Sequence, residues 1–406
     1  MTFKILSLDG GGMRGVISAR ILQEIEKTIK EKYGQELHEY FDLIAGTSTG
    51  SILAAGIACN MTAEDLIKLY NKEGKNIFLK STRYMRKLRE LSKLFGRGVL
   101  YPHEFPDKSE EQGLANVLKR NLVDPDSRKP LTMRDIKDLQ LLILSYDVKS
   151  RNTTWFGNND PSGWYIENDI PLWQICTASA SAPTFFPPYQ LLVKPDEENY
   201  KKKYRPHIDG GVSANNPVLA AIAHAISMKD EGKQNKTKID DIAVLSIGTG
   251  TTTRPYTYDE VNKWGQLGWV SHLPDMFLDP DAENSEHIAL RMFRGIGRQK
   301  YLRLNFEINT YMKEKSCFIK LWKPLRKINK YIHKYNLAFD NIRDKKKEKL
   351  NEDIDNYEAF KELKFAAECY LEYGTVDYKN ADNDKDIAVR DAIDKFIYNH
   401  PPDHKK

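Results

Sequence analysis

Phe41-Asp42-Leu43-Ile44-Ala45-Gly46-Thr47-Ser48-Thr49-Gly50 runs from an apolar segment straight into Gly-x-Ser-x-Gly, and the Ala- and Gly-rich stretch Ser51–Cys59 follows. Phe41–Ala45 reads as a short strand and Ser51–Cys59 as a closely packed helix. A sharp turn between strand and helix excludes side chains at its flanks, which Gly46 and Gly50 satisfy, with Thr47 and Thr49 framing the serine. The hydroxyl of Ser48 is then exposed at the carboxyl end of a strand, the placement of a nucleophile elbow. The helix starting there turns its positive end toward any negative charge formed on a bound molecule. A Thr/Ser helix cap with glycines for close packing fits the same five residues, so the motif by itself leaves both readings open.

Upstream, Phe3–Leu8 is an apolar strand and Gly10-Gly11-Gly12-Met13-Arg14-Gly15 the turn after it. Ile17, Ile21, Leu22, Ile25 and Ile29 then recur at helical spacing. The glycine run fits Gly-x-Gly-x-x-Gly, the dinucleotide fingerprint. Successive backbone N–H groups in such a turn make an anion pocket, for a pyrophosphate or for the oxyanion of acyl transfer. The dinucleotide reading wants an acidic residue at the end of the second strand, where Ser48 stands instead. The oxyanion reading is therefore preferred, with Arg14 as a fixed positive charge behind the pocket, and a side chain at Gly11 or Gly12 is expected to cost activity more than stability. Downstream, Leu141–Tyr146 and Ala243–Ile247 are continuous apolar runs, the mark of strands buried on both faces. Alternation with helical segments predicts an α/β fold, a three-layer sandwich with a mostly parallel central sheet and helices on both faces.

A serine nucleophile needs a base within about 3 Å. None of the nine histidines sits in a motif resembling a triad's histidine loop. His207-Ile208-Asp209-Gly210-Gly211 instead puts an aspartate at a strand end. Gly210 and Gly211 allow it to approach Ser48 closely, and poor solvation would raise its pKa and strengthen it as a base.

Asp9–Gly15, Gly46–Gly50 and Asp209-Gly210-Gly211 together resemble the patatin-like phospholipases. So do Ala178–Pro188, Asn215-Asn216-Pro217 and Leu245–Gly250, in the family's order over roughly residues 1–250. The resemblance implies a Ser48–Asp209 dyad without a catalytic histidine, an oxyanion hole from Gly10–Gly15, and no metal or other cofactor. It implies an acyl-lipid or phospholipid substrate and peripheral contact with a membrane. Some bacterial members are effectors switched on by a nucleotide second messenger, so a cyclic-nucleotide activator enters by resemblance alone. Two alternatives stand beside it: a Ser-His-Asp triad esterase with His207 or another histidine as base, and a nucleotide-binding module without hydrolase activity.

The chain has 406 residues, 40% hydrophobic and 29% charged, with net charge +5. That is enough for a sizeable core and well short of a nucleic-acid-binding domain, so no nucleic-acid partner is expected. Oligomeric state is not legible. Cys59, Cys176, Cys317 and Cys369 are far apart and are expected to be four reduced thiols. Met1 leads almost directly into a strand, without a signal peptide's pattern, which suggests a cytoplasmic protein. Residues 1–310 are assigned to the catalytic domain and 311–406 to a mostly helical, basic-then-acidic extension. Met312–Lys349 carries thirteen Lys or Arg against four Asp or Glu. Ile77–Gly98, with Lys80, Arg83, Arg86 and Arg89, reads as an amphipathic basic helix suited to an anionic lipid interface. Asn380–Asp386 lacks the glycine and the closing glutamate of a calcium loop and reads as a solvated acidic turn.

Overall fold

The apolar runs around the Gly-x-Ser-x-Gly become the middle of one eight-stranded sheet. The computed structural model describes the chain outside residues 1, 85–99, 105–110, 161–162, 168, 194–202, 229–236, 252–255, 309–353, 379–385 and 403–406. The strands are β1 (Phe3–Leu8), β2 (Leu43–Thr47), β3 (Gln140–Asp147), β4 (Asn152–Gly157), β5 (Tyr189–Val193), β6 (Lys203–Asp209), β7 (Ile242–Ile247) and β8 (Tyr301–Leu304). They are ordered β5-β6-β3-β2-β1-β7-β8, with β4 also on β3. From β3 to β8 every pairing is parallel, whereas β4, β5 and β6 join antiparallel.

The sheet is covered on both sides because its strands are apolar on both sides. Leu6, Leu8, Ile44, Leu141 and Ile143 belong to one core. Their alternating neighbours Ile5, Leu43, Ala45, Leu142 and Leu144 belong to the other. Over the first face lie α1 (Gly15–Tyr33), α2 (Thr49–Ala58), α3 (Ala63–Ile77), α4 (Leu114–Asn121) and α5 (Leu172–Ser179). Over the second lie α6 (Val218–Ser227) and the long α7 (Gln266–Ile296). This is the three-layer α/β sandwich expected from the alternation. Near the C-terminus, α8 (Phe360–Tyr373) and α9 (Val389–Asn399) pack on α1, and Leu363, Ala367, Ile393 and Phe396 share its core.

The register fixes where chemistry can occur. Leu8 pairs with Gly46 and with Ile247, so the loops after β1, β2 and β7 leave at one level. Thr47 pairs with Leu144, and Ser145 with Asp209 on the other edge of β3. Ser48 and Asp209 thus stand at the same height with one strand between them, about 9–10 Å of backbone separation that two side chains can bridge. The chain winds away from β1 in both directions, so its glycine turn opens at the switch point where α/β sheets form ligand crevices.

Two sequence expectations are corrected. Cys369 is disulfide-bonded, while Cys59 and Cys176 are free and buried, so the four cysteines are not all reduced thiols. Arg83, placed by sequence on a basic face suited to an anionic lipid interface, is only 8% exposed. It donates to Asn356 Oδ1 at 2.6 Å and lies 3.6 Å from Asp355, because the C-terminal chain returns over it. Ile77 is likewise buried as the last residue of α3. Residues 85–98, the basic stretch 312–349 and the acidic turn at 380–385 lie outside the described residues. Among those described, no helix is long and apolar enough to cross a membrane, and no acidic, His or Cys cluster suits a metal.

β8 is tied to β1 by charge. Arg303 donates to Asp9 Oδ1 at 3.0 Å and to Asp9 Oδ2, and its Nη1 donates to Ser246 Oγ at 2.8 Å, with Glu286 on its Nε at 3.0 Å. Burial pushes the Asp9 carboxyl up to about 6 against the pull of Arg303. Removing one member of such a pair strands the other without solvent. Arg303→Met is therefore expected to lower stability by about 3–5 kcal/mol in urea unfolding. Arg390→Ala, which breaks half-exposed pairs with Glu24 and Glu372, is expected to cost less than about 1 kcal/mol.

Candidate active site

The turn after β2 is tight enough to force both its composition and its strain. A Cβ on Gly46 would sit 2.3 Å from the Gly50 carbonyl oxygen, and one on Gly50 2.1 Å from that of Leu8. Between them Ser48 adopts φ 54°, ψ −122°, a conformation that costs a non-glycine residue about 1–3 kcal/mol. Hydrogen bonds hold it there. Ser48 N–H donates to Ser179 Oγ at 2.9 Å, and that hydroxyl donates to the Leu144 carbonyl at 2.6 Å. Ser51 Oγ and N–H donate to the Ser48 carbonyl at 2.6 and 2.9 Å. Thr47 Oγ1 donates to Ala214 O at 2.8 Å.

Strained in this way, Ser48 aims its hydroxyl across β3. Ser48 Oγ donates to Asp209 Oδ2 at 2.6 Å, and Gly211 N–H donates to Asp209 Oδ1 at 2.7 Å. The backbone of the 209–210 corner is pinned by the segment after α5: Asp209 N–H donates to Ser181 O at 3.0 Å and Gly210 N–H to Ser179 O at 3.1 Å. Asp209 is 4% exposed. Burial raises its pKa to about 6, opposed by the hydrogen bonds from Ser48 and Gly211. No histidine among the described residues hydrogen-bonds Ser48 or Asp209. His207 is fully buried, with Nδ1 on Arg205 O at 3.0 Å and Nε2 on Thr154 Oγ1 at 3.2 Å. His103 is taken up by Pro187 O at 2.8 Å and stacks on Phe186.

The glycine turn lies against the serine; a Cβ on Gly10 would be 3.1 Å from Ser48 Cβ. Its start is fixed by Asp9 N–H to Ile247 O at 3.1 Å, Gly10 N–H to Asn215 O at 3.1 Å and Thr249 Oγ1 to Gly10 O at 2.8 Å. Asn215 N–H in turn donates to Asp281 of α7 at 2.7 Å. Gly12 has φ +58° and opens the short turn Gly12–Arg14 that leads into α1 at Gly15. Met13 N–H is occupied by Ile354 O at 2.8 Å, and Arg14 N–H by Gly11 O at 3.1 Å. Among the described residues, Gly11 and Gly12 N–H have no acceptor. They are the donors left for an anion, and Met13 leaves the expected set because the C-terminal chain takes its amide. Arg14 is buried at the foot of α1.

Side chains at these glycines would meet neighbours, so a substitution there costs stability as well as activity. A Cβ on Gly11 would be 2.2 Å from Thr249 Oγ1, and one on Gly12 2.4 Å from Ile354 O. From Ser48 a narrow cavity of about 50 Å³ runs beneath α3, lined by Ile52, Leu69, Tyr70, Phe78, Phe186 and Ile354 among others. Its one phenolic hydroxyl, on Tyr70, is bonded to Thr49 Oγ1, so the wall offers almost no free polar group. Ser179, Thr249 and Asn215 fall in the blocks that resemble the family; Asp281, Arg303 and Ile354 carried no sequence signal.

The model of the family described as Patatin-like phospholipase matches residues 6–222. Patatin-like protein 1 of Arabidopsis thaliana is 31% identical over 328 residues, covering 74% of this chain and 73% of that protein. The potato (Solanum tuberosum) protein named "Probable inactive patatin-3-Kuras 1" is 28% identical over 319 residues, covering 74% and 77%. The solved structure of VipD from Legionella pneumophila aligns over 75% of this chain and 61% of that one at 11% identity, with a TM-score of 0.32, too loose an overlay to compare sites. With the family model over more than half its length and a relative above 30% identity over most of it, the chain belongs to the patatin-like phospholipase family.

Proposed function

We propose that the protein hydrolyses fatty acyl esters of membrane lipids through an acyl-enzyme on Ser48, with Asp209 as general base. The observation that carries this reading is the 2.6 Å hydrogen bond from Ser48 Oγ to a buried aspartate, beside an apolar cavity and two amides that have no acceptor among the described residues. Asp209 accepts the Ser48 proton as Oγ attacks the ester carbonyl. The carbonyl oxygen, now negative, is received by Gly11 and Gly12 N–H and by the start of α2. The C–O bond to the leaving alcohol breaks, and Asp209 returns the proton to that alcohol. Water, deprotonated by Asp209, then releases the fatty acid and restores Ser48. The apolar cavity supports an acyl chain as the group recognised. A bilayer substrate, peripheral membrane contact and a nucleotide activator are carried by family resemblance alone.

A triad with His207 is less well supported, because both ring nitrogens of His207 are engaged away from Ser48. Ser48→Ala and Asp209→Ala are each expected to lower kcat on a p-nitrophenyl ester by at least about a thousandfold. The double variant should be no worse than either single one, because the two residues act as a unit. Near-full activity in Asp209→Ala would end the proposal.

The pH dependence follows from the direction of the Asp209 shift. The base must be unprotonated, so kcat/KM should rise through about pH 6 and level off above it. Stability runs the other way. Asp209 is raised above its ordinary 3.8, so its buried charge destabilises the fold increasingly as pH climbs from about 4 through 6. Asp209→Asn is accordingly expected to be inactive yet to melt higher than the parent at pH 8, with the gap closing by pH 4. Asp9 titrates in both proteins and cancels in the difference. Melting curves of the two at these pH values check it; a gap independent of pH would place the shift elsewhere.

A further inference from the structure

Ile354 reaches the cavity from far outside residues 6–222, the part that matches the family. Its placement is over-determined. Its carbonyl holds Met13 N–H at 2.8 Å, and a Cβ on Gly12 would come within 2.9 Å of its own Cβ. The next two residues are buried anchors, at 5% and 6% exposure. Asp355 accepts from Tyr101 OH at 2.8 Å, and Asn356 accepts from Arg83 Nη1 at 2.6 Å. Tyr357 packs against Gly74 of α3, where a Cβ would lie 3.2 Å from its own. Held by its own carbonyl and by the three residues that follow it, Ile354 is a fixed wall of the cavity that also takes in Ser48. The space it leaves, about 50 Å³, holds about four water-sized groups.

We propose that Ile354 is a specificity-determining residue that sets the length of acyl chain the cavity accepts. This rests on the acyl-ester reading above. Ser48 and Ile354 line the same narrow cavity, so the volume of the isoleucine side chain limits how much of an acyl chain bound at Ser48 can enter it. Discrimination by chain length then follows from the volume of that one side chain, since each methylene a pocket accepts or rejects changes kcat/KM by about tenfold or more. No polar group is needed for the selection, and the wall presents almost none.

The test is a chain-length profile of kcat/KM on p-nitrophenyl esters from acetate to dodecanoate. The parent would be compared with Ile354→Val, Ile354→Ala and Ile354→Phe, with a small fluorophosphonate labelling Ser48 in each. Ile354→Ala is expected to raise the octanoate-to-butyrate ratio about tenfold, and Ile354→Phe to lower it by a similar factor. Ile354→Val, the mildest change to the core, should move the ratio slightly in the alanine direction. The ratio is read within each variant, and labelling by the small fluorophosphonate checks that Ser48 is still a formed nucleophile there. A ratio unchanged in all three variants, with Ser48 labelled at the parent's rate, would overturn the proposal and leave the ester reading standing. Equal acceleration of every ester in Ile354→Ala would also overturn it, by making Ile354 a plug over Ser48. A parent that hydrolyses no ester and leaves Ser48 unlabelled would remove the acyl-ester reading itself, and this proposal with it.

Discussion

The hydrogen bond between Ser48 and Asp209 depends on a backbone that resists it. Ser48 sits at φ 54°, where an L side chain crowds its own chain, and the turn persists because everything around it is committed. Gly46 and Gly50 give up side chains so that strand and helix can touch, Ser179 takes the Ser48 amide, and Ser51 takes its carbonyl. The parallel register of β2 on β3 and the antiparallel return of β6 put the aspartate at the same height one strand away. Asp209, the last residue of β6, could not be moved by one position without sending its side chain to the other face of the sheet.

Two buried carboxylates at the ends of strands of the same sheet show how environment separates their parts. Asp9 and Asp209 are both pushed up to about 6 by burial. Asp9 is gripped by Arg303 through both oxygens, in a fixed pair that ties β8 to the start of the glycine turn. Among the described residues no cation bonds Asp209; only the Ser48 hydroxyl and the Gly211 amide offset its burial. A carboxylate that is desolvated and unpaired with a cation is the one able to accept a proton from a hydroxyl. The same desolvation makes it a burden on stability, the usual cost of a functional group held in a low-dielectric site.

Much of this was legible in the sequence, for physical reasons. Strands buried on both faces must be apolar throughout, which is why β1, β2, β3 and β7 stood out as runs. Turns that bring backbone against backbone admit only glycine, which exposed the loops after β1 and β2 and the corner after Asp209. What escaped notice lacks such a local signature. α7 continues through Pro274 and Pro280, residues that ordinarily end helices. Arg83 read as part of a lipid-facing basic face because its partners, Asp355 and Asn356, lie far along the chain. Ile354 belongs to no motif at all, and its part in the site comes only from tertiary packing, which also removed Met13 from the expected amide donors.

The central claim is that Ser48 is a nucleophile activated by Asp209, and active-site titration with a fluorophosphonate tests it most directly. Residual esterase activity would be followed against the label found per chain by peptide mass mapping, at a series of pH values. The account predicts that activity disappears as the label reaches one per chain, that the label is on the peptide carrying Ser48, and that the labelling rate rises through about pH 6 and is lost in Asp209→Asn. Loss of activity with the label on another residue, or labelling of Ser48 at an undiminished rate in Asp209→Asn, would contradict it.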